Sequence, residues 1–142
     1  MSAQITISGQ GATIGIVIIG YEREQAENES DANWLSCSVD LRVGAFSAQY
    51  AANFATNDFR EFRKQLLAHL EQQIAVAKFE CDELPLVLSV ALSRAGIGRV
   101  SGRATSTGQP SAALDFSFET DQSFLRSTLQ QLDAALAAYP VR

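Results

Sequence analysis

Trp34 to Val43 alternates apolar and polar residues without a break, and this constrains the chain more than any other stretch. Leu35, Cys37, Val39, Leu41 and Val43 fall on one face, while Ser36, Ser38, Asp40 and Arg42 share the other with Trp34. A period of two describes a half-buried strand, not a helix. Gly44-Ala45 follows as a tight turn, and Phe46, Ala48, Tyr50, Ala52 and Phe54 then continue in phase, which predicts a hairpin. Slipping either strand by one residue would turn its apolar set outward, so the register is well specified.

Other segments extend this pattern in both directions. Gln4 to Ser8 reads as a short strand closed by the turn Gly9-Gln10-Gly11. Ile14 to Tyr21 is β-branched and apolar on both faces, which predicts a central strand with both sides covered. Thr56 or Asn57 is placed to cap a helix from Asp58 to Ala77, with Phe59, Phe62, Leu66, Leu70 and Ile74 as its buried stripe. Short or strong strands follow at Phe79–Cys81, Leu86–Leu92, Ile97–Ser106 and Ala113–Glu119, separated by Ala95-Gly96 and by Gly108-Gln109-Pro110-Ser111. Thr120 or Asp121 caps a second helix, with Phe124, Leu125, Leu129, Leu132 and Leu136 inward, and Tyr139-Pro140 stops it. Strands joined by turns, not helical crossovers, predict an α+β fold: a mainly antiparallel meander sheet with two amphipathic helices packed on one face. Each half reads as a set of strands followed by one capped helix, a pattern of weak duplication. A length of 142 residues is expected to form one domain, residues 1–142, able to hold a full core without metal or disulfide staples.

Composition narrows the function classes. The formal charge is −5 and the pI about 4.8, the reverse of the clustered Lys and Arg that phosphate neutralisation needs, so no nucleic-acid partner is expected. No apolar run approaches the roughly 20 residues of a membrane span, and no positive region precedes an apolar one at the N-terminus as in a secretory signal. Cys37 and Cys81 are too few and too far apart for a disulfide framework or a zinc motif, which makes the cytoplasm the natural compartment. Cys37 alternates with Leu35 and Val39 and reads as a small buried hydrophobe.

Catalytic signals are weak. His69, the single histidine, is placed near the helix face opposite Phe62 and Leu66, a surface position. No elbow motif exists for it to serve. Glu80, Asp82 and Glu83 make an acidic group, but the offsets and glycine of a calcium loop are missing, so a solvated loop is the expectation. Gly96-Ile97-Gly98 lies between strands, not at a helix N-terminus, and so carries no phosphate-loop warrant. Arg99 and Arg103 share a strand face and are expected to pair with Asp115 and Glu119 on the next strand rather than grip an anionic ligand. No enzymatic activity, cofactor or metal is expected.

The strongest binding candidate is the polar stretch from Glu22 to Asn33. Glu22, Glu24, Glu27, Glu29 and Asp31 stand against one base, Arg23, and Trp34 follows at once. Five carboxylates beside a tryptophan suit a basic protein partner, although core or edge packing is the plainer reading of Trp34.

Several of these segments, taken together, resemble the WapI-type immunity proteins, a family of small bacterial domains of about this length. They are Gly20-Tyr21-Glu22, Asp31-Ala32-Asn33-Trp34-Leu35, Val43-Gly44 with Phe46, the capped helix from Asn57 to Leu70, Phe118-Glu119-Thr120-Asp121-Gln122-Ser123-Phe124-Leu125 and Tyr139-Pro140-Val141. The resemblance covers nearly the whole chain and rests on a turn, a hairpin and a cap. It implies a cytosolic protein that neutralises a polymorphic or contact-dependent toxin, often a nuclease, by direct binding, and it transfers no catalytic residue. Two other classes stay open at this point. One is an adaptor that forms a homodimer through a sheet edge; the other is an enzyme with a carboxylate site around Glu80, Asp82 and Glu83.

Overall fold

The computed structural model describes residues 3–23, 32–81 and 84–142. Its elements run β1 (Ala3–Gly9), β2 (Ala12–Tyr21), β3 (Trp34–Val43), β4 (Phe46–Ala55), α1 (Thr56–Leu70), β5 (Ala77–Phe79), β6 (Leu86–Leu92), β7 (Ile97–Ser106), β8 (Ala112–Asp121) and α2 (Gln122–Ala138). The fold is α+β and wholly antiparallel in its strand pairing, and the strands divide into two four-stranded meanders, β1-β2-β3-β4 and β5-β6-β7-β8. The predicted hairpin is present in unbroken register from Trp34↔Ala55 to Val43↔Phe46. Gly44 supplies the left-handed residue of its turn at φ 58°. Arg99 reaches Glu119 at 3.7 Å and Arg103 reaches Asp115 at 3.0 Å, the cross-strand pairing the sequence suggested.

The duplication is explicit in the structure. Adding 66 to the numbering carries β4 onto β8 (Phe46 to Ala112) and the buried stripe of α1 onto that of α2 (Phe59 to Leu125, Leu66 to Leu132). Each helix seals the first strand of the opposite half. Gln65 of α1 accepts the Lys78 N–H of β5 at 2.8 Å, and Gln131 of α2, its equivalent under the same shift, accepts the Thr6 N–H of β1 at 2.6 Å. Thr128 of α2 also donates to the Thr6 carbonyl at 2.6 Å. Side-chain amides thus satisfy strand edges that would otherwise be open to pairing.

The inner faces of both sheets share one buried cluster. At its centre Phe79 meets Phe54, Phe59 and Phe62 with ring centroids 5.3–5.7 Å apart, joining β4, α1 and β5. The meanders also touch where Gln10 N–H donates to the Glu119 carbonyl at 2.9 Å. Gly9 permits this approach, since a Cβ there would stand 2.0 Å from the Glu119 oxygen.

Several expectations are corrected. α1 ends at Leu70, not Ala77: Glu71 caps it, Gln72 turns left-handed at φ 61°, and Ala77–Phe79 must extend to pair with β6. Ile74 therefore lies beyond the helix and is exposed, and the short strand predicted at Phe79–Cys81 starts two residues earlier. The cap position of α1 is Ala55; Asp58 accepts the Ala55 N–H at 2.8 Å, while Thr56 Oγ1 turns to the Asn33 carbonyl. β2 is central, but a bulge between Ile18 and Gly20 turns Ile19 to solvent, so its outer face is not fully covered. Phe46, at the start of β4, and Phe124, in the first turn of α2, are exposed, whereas Leu125 next to Phe124 is buried.

The largest revision concerns His69, which is buried at 6% exposure. It lies three residues beyond Leu66 and seven beyond Phe62, which returns it to the buried stripe. Leu92 N–H donates to Nε2 at 2.9 Å, so Nδ1 carries the proton and donates to the Ile74 carbonyl at 2.9 Å. The imidazole is a structural bridge from α1 to β6.

Candidate functional site

The acidic connection begins where β2 ends and closes where β3 begins, and its neck is built by several elements. Glu22 N–H donates to the Trp34 carbonyl at 2.8 Å, extending the β2–β3 ladder by one bond. Thr56, at the start of α1, donates its N–H to the Asn33 carbonyl at 2.9 Å. The C-terminal segment then crosses over the neck. Tyr139 meets the Tyr21 ring edge-on at 5.5 Å, and Tyr21 donates its hydroxyl to the Pro140 carbonyl at 2.5 Å.

Arg142 completes the clamp. Its N–H donates to Asn33 Oδ1 at 2.9 Å, its carbonyl accepts from Asn33 Nδ2 at 3.2 Å, and its Nε–H donates to the Ala32 carbonyl at 2.8 Å. Its Nη2 donates to the Arg23 carbonyl, so one side chain ties both arms of the neck. The guanidinium also lies 3.8 Å from the centroid of the Tyr21 ring, a cation–π geometry. Burial pushes the Tyr21 phenol above its ordinary pKa, and the Arg142 charge opposes that shift. The neck is therefore a braced pedestal with a fixed cation at its base.

Of the six residues singled out by sequence, Glu22 is exposed beside the neck. Trp34 is half-buried at the first position of β3, opposite Ala55, and outside the hydrophobic core cluster. Glu24, Glu27, Glu29 and Asp31 lie outside the described residues. No sequence signal points to Arg142, since a lone arginine carries no periodicity or spacing; only its neighbours Tyr139-Pro140-Val141 belong to a recognisable segment.

Glu80 is exposed, and Asp82 and Glu83 lie outside the described residues. Among the described residues no group of three or more His, Cys, Asp or Glu is placed to hold a metal ion. Among the same residues no helix is long and apolar enough to cross a membrane. Cys37 and Cys81 are both buried, and burial pushes the Cys37 thiol up to about 12, which leaves it an inert thiol at neutral pH.

A family model described as the immunity protein WapI-like family matches residues 4–140. The chain belongs to this family. Among curated proteins none matches it. Membership in an immunity-protein family supports a toxin-neutralising role in general terms.

Proposed function

We propose that this protein acts in the bacterial cytoplasm by binding a cognate toxin domain directly, without catalysis of its own. In this reading the connection from Glu22 to Asp31, with Trp34 at its foot, forms part of the contact. The toxin is a basic protein, a nuclease being the class that best fits.

The observation that carries the reading is the asymmetry of the duplicated fold. The second half joins β6 to β7 with four residues, Ser93 to Gly96. The first half uses twelve, Glu22 to Asn33, for the same connection between β2 and β3. Most such loops hold two to five residues, so the fold does not require the additional length, and long loops on a rigid scaffold commonly carry function. The extra residues hold five carboxylates, and the neck beneath them is braced by Arg142 and Tyr21.

Charge of this kind acts chiefly on encounter. Steering raises association rates by about 10- to 1,000-fold and is screened over about 8 Å at physiological ionic strength, while packed aromatic anchors supply most affinity. The test replaces Glu24, Glu27 and Glu29 together by Gln and measures association with the toxin encoded beside this protein, at low and high salt. The expected result is a drop of about tenfold in association rate at low salt that shrinks at high salt. An unchanged rate at both salts would exclude the loop from the contact. If the unaltered protein does not bind that toxin, the neutralising role itself is lost.

A further inference from the structure

The two sheets have four outer edges, and the chain protects three of them. β1 is sealed by Thr128 and Gln131, and β5 is only three residues long and sealed by Gln65. β8 carries Asp115, Glu119 and Asp121 and is met at one end by Gln10. Charge, brevity and cover are the devices by which strands avoid pairing with other chains. Among the described residues β4 has none of them. Its ten residues, Phe-Ser-Ala-Gln-Tyr-Ala-Ala-Asn-Phe-Ala, include no charge and no proline. Its register with β3 holds no bulge, and among the described residues no strand pairs with its other side.

We propose that β4 is a homodimer interface, at which two copies of this chain pair their β4 edges antiparallel about a two-fold axis and join their first sheets into one of eight strands.

The choice of a second copy follows from charge. The protein carries −5 overall, which repels a copy unless like charges are kept apart. A β4 edge meeting itself brings together only neutral side chains, and the exposed outer-face residues Gln49 and Asn53 carry amides that both donate and accept. Within the sheet the charges nearest β4 are Asp40 and Arg42 on β3, opposite Gln49 and Ser47. Across the joined edge the two β3 strands stand three strand spacings apart, about 14 Å, beyond the screening length of about 8 Å. An antiparallel two-fold is the symmetry most soluble dimers adopt. The pairing also covers Phe46, which is 66% exposed beside a recess of about 210 Å³ lined by Ala48, Tyr50, Ala104 and Leu114.

The test measures the mass of the full chain in solution by sedimentation or light scattering from about 1 μM to about 1 mM. Dimer is expected to accumulate across that range. The double variant Gln49→Lys with Ala51→Lys, checked for an unchanged circular dichroism spectrum, is expected to dissociate at a Kd raised by about tenfold or more. Hydrogen exchange on the unaltered chain supplies a reading that does not depend on the variant folding: β4 amides are expected to exchange more slowly as concentration rises. A monomer throughout the range overturns the proposal, as does a dimer that the two lysines leave intact. Protection of β4 that appears only when the toxin is added, with the chain itself monomeric, assigns the edge to the toxin and overturns it equally.

Discussion

Replacing His69 by Ala tests whether the imidazole is a structural bridge. The substitution frees the Leu92 N–H and the Ile74 carbonyl, each now bonded to the ring at 2.9 Å. An unpaired buried donor costs about 1–3 kcal/mol, and a bond whose acceptor regains water costs about 0.5–1.5 kcal/mol. Ile74 is 38% exposed, so its carbonyl belongs to the second, cheaper case. The space left by a ring only 6% exposed adds to the loss. The total comes to about 2–5 kcal/mol, a large part of the roughly 5–15 kcal/mol that holds a domain folded. Urea unfolding should show the midpoint falling with the slope unchanged, and the melting temperature dropping by about 5–15 °C. His69→Gln, which keeps an acceptor for Leu92, should recover part of the loss. Arg60→Ala, on the exposed face of the same helix, should stay within about 0.5 kcal/mol of the unaltered protein. A His69→Ala protein as stable as the Arg60→Ala control would refute the bridge.

Two further perturbations probe the core and the junction between sheets. Burial pushes the Cys37 thiol and the Tyr50 phenol up to about 12, from ordinary values of 9.0 and 10.0, with the nearby Cys81 adding to the Tyr50 shift. The folded state thus holds both groups neutral; their contribution is complete below pH 9 and is lost as pH rises toward 12. The denaturant midpoint should therefore fall between pH 9 and pH 11, less steeply in Cys37→Ala, and equal slopes in the two proteins would contradict the assignment to Cys37. Gly9→Ala would place a Cβ 2.0 Å from the Glu119 oxygen and 2.7 Å from the Phe118 ring, and should cost about 1–3 kcal/mol by overpacking. Gly20→Ala meets nothing within 4 Å and should be near neutral in the same unfolding assay, so equal losses at the two glycines would show that Gly9 is not a contact point.

Much of the fold was legible because strand periodicity is strict. Trp34–Val43 has the limits its alternation predicts, Leu86–Leu92 and Ile97–Ser106 have the limits their flanking Pro85 and Ala95-Gly96 turn signals predict, and Asp121 caps α2 through the Ser123 and Phe124 amides. The misreadings share a physical cause: a local pattern does not reveal where tertiary pairing takes over. Helical spacing carried on through Ile74 and Ala77, yet β5 needs Ala77 extended opposite Val90. A polar residue in an apolar stripe reads as surface until its bonding partners are known, and the partners of His69 are 5 and 23 residues away. Division of the strands into two meanders was equally hidden, since it depends on which edges meet. The candidate site was legible as composition, five carboxylates before a tryptophan, while its brace was not. Arg142 reaches the neck across more than a hundred residues of sequence.

The braced loop and the bare edge meet at one point of the fold. β4 runs from Phe46 at the hairpin to Ala55, which pairs with Trp34 at the foot of the acidic connection. In the proposed dimer a two-fold axis through the middle of β4 would set the two necks at opposite ends of the paired strands, about 33 Å apart over ten residues. Dimerisation would then keep the two necks well apart, so that each copy could hold its own toxin. The proposed dimer also separates roles by chemistry. Carboxylates that attract a basic partner would hinder self-association if they lined the shared edge, and an uncharged edge offers a basic partner nothing to steer toward. A complex of two copies with two toxin domains follows from this placement; a toxin that dissociated the dimer on binding would show that the two surfaces overlap.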